Sequence, residues 1–439
     1  MRIVVVALGK IGLPLAVQFA SSGHEVVGVD VNKKTVDAVN AGKEPFPGEA
    51  QLQERLSELV PAGKLKATTS YAEAVPGADA VVLVAPVFVN DETWEPDFQY
   101  MDAATTSLAE HLTSGTLISY ETTLPVGTSR NRFKPMLEKG SGLVEGEDFH
   151  IVYSPERVLT GRVFADLRKY PKLIGALSPE GTRRAREFYE SVLQFDDRSD
   201  LPKPNGVWDL GTTEASEMAK LAETTYRDVN IGLANQFGLF AADHGIDVYK
   251  VIEACNSQPY SHIHRPGIAV GGHCIPVYPR LYLSTDPDAD IVRVARNLNA
   301  SMPEHLVAKA EGILGDLSGR KVAVLGAAYR GEVKETAFSG VFPTVDALKA
   351  RGAEVVVHDP LYSDVELARL GFDAFHIGEP AELIIVQTDH ADYRKLTPAE
   401  IPGVTLLVDG RNITEPNLWV GTPRIVVGKP IDDRENQDV

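Results

Sequence analysis

The chain has 439 residues, 44% of them hydrophobic and 24% charged, a composition typical of a soluble globular protein with two or three domains. This balance excludes a disordered or fibrous protein. Forty-three Lys and Arg residues stand against 61 Asp and Glu residues, which gives a formal net charge of −18. A surface of that sign repels phosphate backbones and anionic membranes, so we expect no nucleic-acid partner. A phosphorylated ligand would need a local basic pocket.

The chain contains two cysteines, Cys255 and Cys274. Two cysteines cannot form a disulfide framework, and their number suits a reducing cytosol. No apolar run reaches membrane-spanning length, and residues 1–6 form a strand rather than a signal peptide. We therefore expect a cytoplasmic protein without membrane contact.

Apolar β-rich runs alternate with helical segments along the chain. In the first part, strands are predicted at 3–6, 25–29, 80–84, 117–120, 150–153 and 173–175, with helices that include 13–21 and 179–192. This alternation is typical of a parallel sheet covered by helices on both faces. A second series predicts another, smaller α/β domain, with strands at 322–325, 354–358, 383–387, 406–408 and 425–427.

Between the two series, residues 213–244 contain no Pro and carry many large apolar side chains. The pattern predicts one helix of ~45 Å at 1.5 Å per residue. A helix this long and apolar on more than one face spans domains or builds a dimer interface. The predicted fold class is therefore α/β, with two Rossmann-like doubly wound domains joined by a long central helix. The predicted domains cover residues 1–200, 201–318 and 319–439.

The first strand leads into a turn that follows the dinucleotide pattern G-x-G-x-x-G, with Ala7 in place of the first glycine. Gly9 would let the backbone approach a pyrophosphate, and Gly12 would let the next helix pack on the sheet. Asp30 ends the second strand, where a carboxylate accepts from a ribose 2′-hydroxyl and repels a 2′-phosphate. The pattern predicts NAD rather than NADP, the alternative being a tight turn without a ligand. The residues expected at the cofactor are Gly9, Lys10, Ile11, Gly12 and Asp30.

Cys274 follows His273 within the glycine-rich segment 266–276. Such a loop can bring backbone N–H groups close to a thiolate and to an oxyanion. Because no helix is expected there, we interpret Cys274 as a nucleophile rather than as a small buried hydrophobe. Cys255 lies on an apparent helix and is interpreted as a core residue. His273 either acts on the thiol or points away from it.

A nicotinamide cofactor and a nucleophilic cysteine together indicate oxidation past the aldehyde. A primary alcohol loses one hydride to give an aldehyde, to which the thiolate adds to make a thiohemiacetal. Loss of a second hydride leaves a thioester, and water releases the acid. Two NAD per product follow from this four-electron change.

Several further motifs follow one another in a fixed order. They are 9–16 (GKIGLPLA), 121–128 (ETTLPVGT), 154–158 (SPERV), Lys220 in the long helix, 271–276 (GGHCIP), 326–330 (GAAYR) and 358–360 (HDP). In this combination the sequence resembles the UDP-glucose/GDP-mannose dehydrogenase family, the nucleotide-sugar 6-dehydrogenases, over nearly the whole chain. Segments 154–158 and 263–267 look more like its UDP-N-acetylhexosamine branch than like its UDP-glucose branch.

The resemblance implies roles for individual residues. Cys274 would be the nucleophile, and Lys220 matches a catalytic lysine whose ammonium stabilises the alkoxide and the thiohemiacetal oxyanion. Thr123 matches a threonine beside the cofactor that helps to position water and proton transfers. Glu156 matches a carboxylate suited to act as general base in thioester hydrolysis. The alternative for Lys220 is a solvated helix lysine.

The resemblance also implies a set of substrate-binding residues. Arg330 stands where the family has a lysine, and either residue would neutralise a diphosphate. The substrate-side residues are Lys220, Arg265, Gly271, Arg330 and Tyr260, and Arg157 is a further candidate.

Five positions depart from the family pattern. Thr224 replaces an asparagine that assists the oxyanion, and its hydroxyl can still donate one hydrogen bond. Tyr278 replaces an aspartate and Val87 a threonine. Tyr260 and Ala337 stand where substrate-contacting arginines are expected. These departures indicate that the reaction class is kept and that the substrate differs from the common ones, a dTDP-sugar or an unusual UDP-hexose being candidates.

The resulting prediction is NAD-dependent oxidation of the C6 hydroxyl of an NDP-hexose to the NDP-uronic acid, with a UDP- or dTDP-glucose type sugar or a UDP-N-acetylhexosamine as substrate. The resemblance further implies an NAD-binding domain at 1–200, a helical dimerisation domain at 201–318, a nucleotide-sugar domain at 319–439 and a homodimer. One alternative is a single-hydride dehydrogenase of the 6-phosphogluconate or hydroxyacyl type, against which Cys274 argues. Another is a non-catalytic nucleotide-sugar-binding paralogue. The histidines show no metal-ligand spacing, so no metal is expected.

Overall fold

The computed structural model describes residues 1–90 and 93–431. The end of the predicted domain 319–439, beyond residue 431, lies outside the described residues. The strands of the protein are β1 (Arg2–Val6), β2 (Glu25–Val29), β3 (Leu65–Thr68), β4 (Ala80–Leu83), β5 (Phe88–Val89), β6 (Pro96–Asp97), β7 (Leu117–Tyr120), β8 (His150–Tyr153), β9 (Lys172–Ala176), β10 (Val207–Thr212), β11 (Lys321–Leu325), β12 (Glu354–His358), β13 (Asp373–Ala374), β14 (Leu383–Val386), β15 (Leu406–Asp409) and β16 (Arg424–Val426).

The α-helices are α1 (Gly12–Ser21), α2 (Lys33–Asn40), α3 (Leu52–Leu59), α4 (Tyr71–Ala74), α5 (Gln99–Ala109), α6 (Lys134–Ser141), α7 (Val163–Lys169), α8 (Pro179–Val192), α9 (Thr213–Asp243), α10 (Val248–Asn256), α11 (Tyr278–Thr285), α12 (Asp290–Leu314), α13 (Val341–Lys349) and α14 (Asp364–Arg369). A π-helical turn, Ser129–Phe133, precedes α6. Within the described residues, no helix combines the length and the apolar character needed to cross a membrane.

The N-terminal sheet has eight strands in the order β10-β9-β8-β7-β4-β1-β2-β3. All neighbours run parallel except β8 and β9, which are antiparallel. Its central strands are continuous buried apolar runs such as AVVL in β4, because helices cover both faces of the sheet. The edge strand β3 (LKAT) alternates buried with exposed side chains and carries a lysine, so its apolar signal is weak and the sequence analysis missed it.

The C-terminal sheet has six strands in the order β13-β12-β11-β14-β15-β16, all of them parallel. Strand β14 (LIIV), near the centre of this sheet, is fully buried. Apolar side chains cover both faces of the sheet: Val324, Ile385 and Val408 lie on one face and Ile384 lies on the other. Together, the two α/β sheets, which are parallel except for the β8–β9 pair, and the long helix α9 confirm the predicted fold class.

Helix α9 is 31 residues long, close to the predicted span. The sequence analysis missed the 25-residue helix α12, which contains Pro303 and a mixed polar sequence. Two buried polar contacts tie α12 to α9. Arg296 Nη1 donates to Asp228 Oδ1 at 2.7 Å, and Asn235 Nδ2 donates to Asn299 Oδ1 at 2.8 Å.

The chain divides into two compact units, and the division falls within α9. The first unit comprises residues 1–222 and 280–285, and the second comprises 223–279 and 286–439. The N-terminal sheet and the first turns of α9 lie in the first unit. The second unit contains the rest of α9, the segment 266–276 that carries Cys274 (the cysteine loop), α12 and the C-terminal sheet. The predicted domain limits at residues 200 and 318 stay a prediction.

Candidate active site

The turn after β1 is tightly packed. Ala7 has a φ of 73°, a left-handed conformation that glycine adopts freely and alanine adopts with strain, and its N–H donates to Val29 O at 2.8 Å. A Cβ atom at Gly12 would lie 1.9 Å from Ala7 O and 2.6 Å from the Val84 side chain. Glycine is therefore required at position 12, and the turn keeps a glycine conformation at position 7 although the residue there is alanine.

The same turn orients the carboxylate of Asp30. Its Oδ2 accepts from Leu8 N at 2.8 Å, and its Oδ1 accepts from Asn32 N at 2.8 Å. Each oxygen keeps a lone pair for a further donor. Gly9 is exposed, and no atom lies within 4 Å of the position its Cβ would take. An open backbone at Gly9 beside a fixed, half-buried acid at the end of β2 fits a dinucleotide with a free ribose 2′-hydroxyl.

Glu156 belongs to a buried cluster that the sequence analysis missed. Lys172 Nζ donates to Glu121 Oε2 at 2.7 Å and to Glu156 Oε2 at 2.9 Å, and the three side chains are between 0% and 10% exposed. Tyr189 OH donates to Glu121 Oε1 at 2.6 Å. The available signal was a lysine directly before the apolar strand predicted at 173–175, where a buried cation needs a carboxylate partner.

Burial and the Lys172 ammonium act oppositely on the two carboxyl groups. Burial dominates at Glu121 and, against the attraction of Lys172, raises the pKa of that carboxyl to about 7. Burial also disfavours the charge of Glu156, but the ammonium of Lys172 and the hydrogen bond from Arg157 N outweigh it and hold the pKa of Glu156 below its ordinary value. Glu156 is thus the carboxyl group that stays ionised.

Lys220 reaches this cluster from α9. Its Nζ donates to the backbone carbonyl oxygen of Glu156 at 2.7 Å, and the residue is 8% exposed. The ammonium is therefore buried against the Glu156 peptide rather than solvated on the helix surface. Thr224 lies one helical turn further along and is fully buried. Residues four apart share one helix face, so Lys220 and Thr224 face the same side of α9.

Thr123 lies in the loop that follows β7 and is 5% exposed. That loop is fastened to the first turns of α9 by Glu217, whose carboxylate accepts from Gly127 N at 2.5 Å and from Ser129 N at 2.9 Å. The Ser129 hydroxyl also donates to it, at 2.7 Å. Burial raises the pKa of Glu217 to about 7, against the lowering effect of these donors. Glu217 could not be singled out from the sequence, since nothing local distinguishes it from a solvated helix carboxylate.

Cys274 lies in the second unit, outside any helix, and is half-buried. Its carbonyl oxygen accepts from Tyr278 N at 2.9 Å, where α11 begins. The preceding glycines are packed closely. A Cβ at Gly271 would lie 2.7 Å from the Tyr329 side chain, and Gly272, with a φ of 90°, donates from its N–H to Ala337 O at 2.9 Å. By contrast, Cys255 lies within α10.

Arg411 anchors the start of the cysteine loop. Its Nη1 donates to Ala269 O at 3.1 Å, and its Nε donates to Gln387 O at 2.7 Å. Burial lowers the pKa of Arg411. The sequence analysis missed Arg411, which joins the segment before Cys274 to the end of β14 through main-chain oxygens that carry no sequence signal.

The other candidate residues of the second unit are more exposed. The His273 side chain is 65% exposed and lies 3.8 Å from Glu335 Oε2. Arg265 and Arg330 are exposed, the latter with its guanidinium 5.9 Å from the centre of the Tyr329 ring. Tyr260 is 92% exposed.

Arg157 lies in the first unit, in a different setting from Arg265 and Arg330. Its Nη1 donates to Pro171 O at 3.3 Å, and its guanidinium lies 5.9 Å from the centre of the Tyr170 ring.

No group of three or more His, Cys, Asp or Glu residues suited to a metal ion occurs in residues 1–90 and 93–431.

Comparison with known proteins identifies the class. Residues 1–193 match the NAD-binding domain model of the UDP-glucose/GDP-mannose dehydrogenase family, residues 214–301 match its central domain and residues 323–416 its UDP-binding domain. A UDP-N-acetyl-D-mannosamine dehydrogenase of Pyrococcus horikoshii is 35% identical over 94% of this chain and 96% of its own.

Solved structures show the same relationship. The structure of a UDP-D-ManNAc dehydrogenase from Pyrococcus horikoshii matches with a TM-score of 0.85 and 32% identity, over 98% of this chain and 99% of that one. That of an NDP-N-acetyl-D-galactosaminuronic acid dehydrogenase from Methanosarcina mazei Go1 matches with a TM-score of 0.84 and 30% identity, over 98% and 95% of the chains.

The fold and these matches define an NAD-dependent oxidoreductase that contains two α/β sheets. The chain belongs to the UDP-glucose/GDP-mannose dehydrogenase family. NAD is its cofactor, and its relatives are nucleotide-sugar dehydrogenases.

Proposed function

We propose that the chain oxidises the C6 hydroxyl of a UDP-N-acetylhexosamine to the carboxylate, with UDP-N-acetylmannosamine as the first substrate to test. One observation carries the chemistry: Lys220 Nζ lies 2.7 Å from the carbonyl oxygen of Glu156, so an ammonium and a carboxylate residue meet at one place. The relatives named as UDP-N-acetyl-D-mannosamine dehydrogenases support the sugar, as does the 154–158 segment.

The residues of the first unit suit the cofactor and the proton transfers. Gly9, Lys10, Ile11 and Gly12 would hold the pyrophosphate at the start of α1, and Asp30 the ribose. NAD, when bound, accepts one hydride from C6 at each of two oxidations, so that two NADH form per carboxylate. Thr123 would lie beside the cofactor and position water.

Cys274 supplies covalent catalysis. Its thiolate forms a C–S bond to the C6 aldehyde, and the carbonyl oxygen becomes an oxyanion that the Lys220 ammonium stabilises, with Thr224 as a second donor. Oxidation of this thiohemiacetal leaves a thioester. Glu156 takes a proton from water as the water oxygen attacks C6, after which the C–S bond breaks and Cys274 leaves as the thiolate. One water is consumed per carboxylate.

The substrate diphosphate would be bound by Arg330 and Arg265, which supply the local positive charge that a chain of net charge −18 needs. Gly271 allows close packing of the cysteine loop, and Tyr260 would stack on or bond to the substrate. The domains at 1–200, 201–318 and 319–439 would hold NAD, the dimer contact and the nucleotide sugar respectively.

A homodimer is part of the proposal. Four apolar residues of α9 are spaced at helical intervals and are between 41% and 58% exposed: Tyr226, Leu233, Phe237 and Phe240. An exposed apolar stripe of this kind on a long helix is suited to a second copy of the same helix. The free thiols Cys255 and Cys274 support a reducing cytoplasmic location.

A substrate screen tests the proposal. UDP-N-acetylmannosamine, UDP-N-acetylglucosamine, UDP-glucose, GDP-mannose and dTDP-glucose are each incubated with the protein and NAD, and both NADH and the sugar product are quantified. We expect two NADH per uronic acid with an N-acetylhexosamine. One NADH per aldehyde or ketone would contradict the four-electron reaction, and preference for dTDP-glucose would contradict the sugar assignment.

Substitution of the nucleophile completes the test. Cys274→Ser is expected to abolish acid formation while NAD binding is kept, because the serine hydroxyl is a far weaker nucleophile than a thiolate. Cys255→Ser is the matched control, since Cys255 lies on α10, and it should keep activity. Unchanged acid formation by Cys274→Ser would exclude the thioester route.

A further inference from the structure

The carboxylate of Glu156 is held at both oxygens. Oε1 accepts from Arg157 N at 2.8 Å, and Oε2 accepts from Lys172 Nζ at 2.9 Å. The backbone carbonyl of the same residue accepts from Lys220. The orientation of one residue therefore fixes where both a carboxylate and an ammonium of the candidate site lie.

The Lys172 ammonium holds one carboxylate oxygen of Glu156 in place. Lys172 is the first residue of β9, and its ammonium lies between Glu156 and Glu121, at 2.7 Å from the latter, and 4.9 Å from the centre of the Tyr189 ring. Tyr189 in turn shares a hydrogen bond of 2.6 Å with Ser119. Lys172, Glu121, Tyr189 and Ser119 are almost fully buried; Ser119 lies in β7, Glu121 directly after it, Lys172 in β9 and Tyr189 in α8.

A purely structural role does not account for this cluster. Burying two carboxyl groups around one ammonium is costly, and apolar residues of similar volume pack a buried site at least as well. Helix α8, which carries Tyr189, begins at a cap in which the Ser178 hydroxyl accepts from Gly181 N ahead of Pro179. A cleft beside the cluster is lined by Glu156, Arg157, Val158, Tyr170 and Lys172, so Glu156 and Lys172 are the cluster members that border a space next to the cluster.

We propose that Lys172 is a positioning residue of the reaction: its ammonium, shared with Glu121, keeps Glu156 ionised and aimed, and through the Glu156 carbonyl it sets the position of Lys220. Lys172 touches neither substrate nor cofactor in this role. The inference rests on the proposed function, because it assumes that Glu156 takes a proton during thioester hydrolysis.

The charged groups around Glu156 determine the expected effect of removing Lys172. Glu121 directly follows β7, Lys172 lies in β9, Lys220 in α9 and Arg157 in the 154–158 segment. Asp166 and Tyr170 also line the cleft. Without the ammonium of Lys172, Glu121 and Glu156 face each other and share one proton. Glu156 then needs a higher pH to act as a base.

The test compares Lys172→Met with Lys172→Arg in steady-state and rapid-mixing assays from pH 5.5 to 9. For Lys172→Met we expect kcat to fall about tenfold or more at pH 7, with KM changed less than about threefold, and an acid limb to appear in the kcat profile. We also expect a burst of NADH and an acylated Cys274 detectable by intact-mass spectrometry, because hydrolysis becomes rate-limiting. Lys172→Arg keeps the charge and should restore the wild-type profile.

Glu121→Gln and Glu121→Gln/Lys172→Met are the companion variants. The single variant keeps the ammonium beside Glu156, so it should show neither the acid limb nor the accumulated acyl-enzyme of Lys172→Met. The double variant removes one carboxyl together with the ammonium and so folds more readily. Glu156 stays buried in it and still lacks the ammonium that favours its charged form, so the slow hydrolysis should remain. Wild-type profiles without acyl-enzyme in a folded Lys172→Met or in the double variant would overturn the proposal. Wild-type protein inactive on every nucleotide sugar would instead refute the proposed function.

Discussion

Asp30 and Asp359 hold equivalent turns in the two sheets, but only Asp30 is open to a ligand. Each follows the second strand of its sheet, and each accepts from the turn after the first strand: Asp30 from Leu8 N at 2.8 Å, Asp359 from Ala327 N at 2.8 Å. Asp359 is 3% exposed and also contacts His390 Nε2 at 3.2 Å. The second turn thus binds its own acid, while the first leaves its acid half-exposed.

This contrast gives the first prediction. Asp30→Asn should weaken NAD binding about tenfold or more, because a neutral amide replaces a charge-assisted acceptor of the ribose. Asp359→Asn should instead leave NAD affinity unchanged and lower the free energy of unfolding by about 1–3 kcal/mol, since a buried acceptor of backbone N–H groups is lost. Calorimetric NAD titration and urea unfolding measure the two effects. Equal loss of NAD affinity in both variants would contradict the assignment.

The strained turn residue gives a second prediction. Ala7→Gly should stabilise the protein by up to about 1 kcal/mol, because relief of about 1–2 kcal/mol of left-handed strain exceeds the added entropy of an unfolded glycine. Ala350→Gly is the matched control at an ordinary φ of −60° and should be destabilising. The midpoints of urea unfolding report both changes. A lower midpoint for Ala7→Gly would show that the turn is not strained at this residue.

The buried carboxyl of Glu217 predicts a pH dependence of stability. Its pKa is raised to about 7 in the folded protein, so the folded state holds a proton that the unfolded state releases near pH 4.5. Its contribution is full below about pH 4.5 and is lost as the pH rises through 7, which lowers the free energy of unfolding by about 3 kcal/mol. Glu217→Gln should flatten the fall in unfolding free energy between pH 5 and 8, whereas the exposed Glu110→Gln should not. An unchanged slope in Glu217→Gln would contradict the prediction.

The exposed apolar stripe of α9 predicts a dimer that should dissociate when charged residues are introduced into the stripe. Phe237→Asp combined with Phe240→Asp should convert a dimer to a monomer, because a desolvated carboxylate pair opposes apolar association. Light scattering after gel filtration measures the mass of each variant. Ile377→Asp, at an exposed apolar residue outside α9, should stay dimeric. A monomeric wild-type protein would refute the dimer.

Much of the fold could be predicted from the local sequence. Central strands such as β4 and β14 are short apolar β-rich runs, and α9 lacks Pro over its whole length, so the periodicity within each segment sufficed. The edge strand β3 and the helix α12 could not be predicted because about half of their side chains are polar. Pairing with β2 positions β3, and contacts such as that of Arg296 with Asp228 position α12.

The sequence alone determined the glycine turn after β1 with the acid that follows β2, the non-helical cysteine loop and the succession of motifs that defines the family. These features depend on residue types at fixed short spacings. Only the tertiary structure decided that Glu121, 51 residues before Lys172, and Glu156, 16 residues before it, share its ammonium, and that Lys220 meets the Glu156 carbonyl. Such contacts depend on strand order and helix placement, and a buried charge finds its partner in space rather than along the chain.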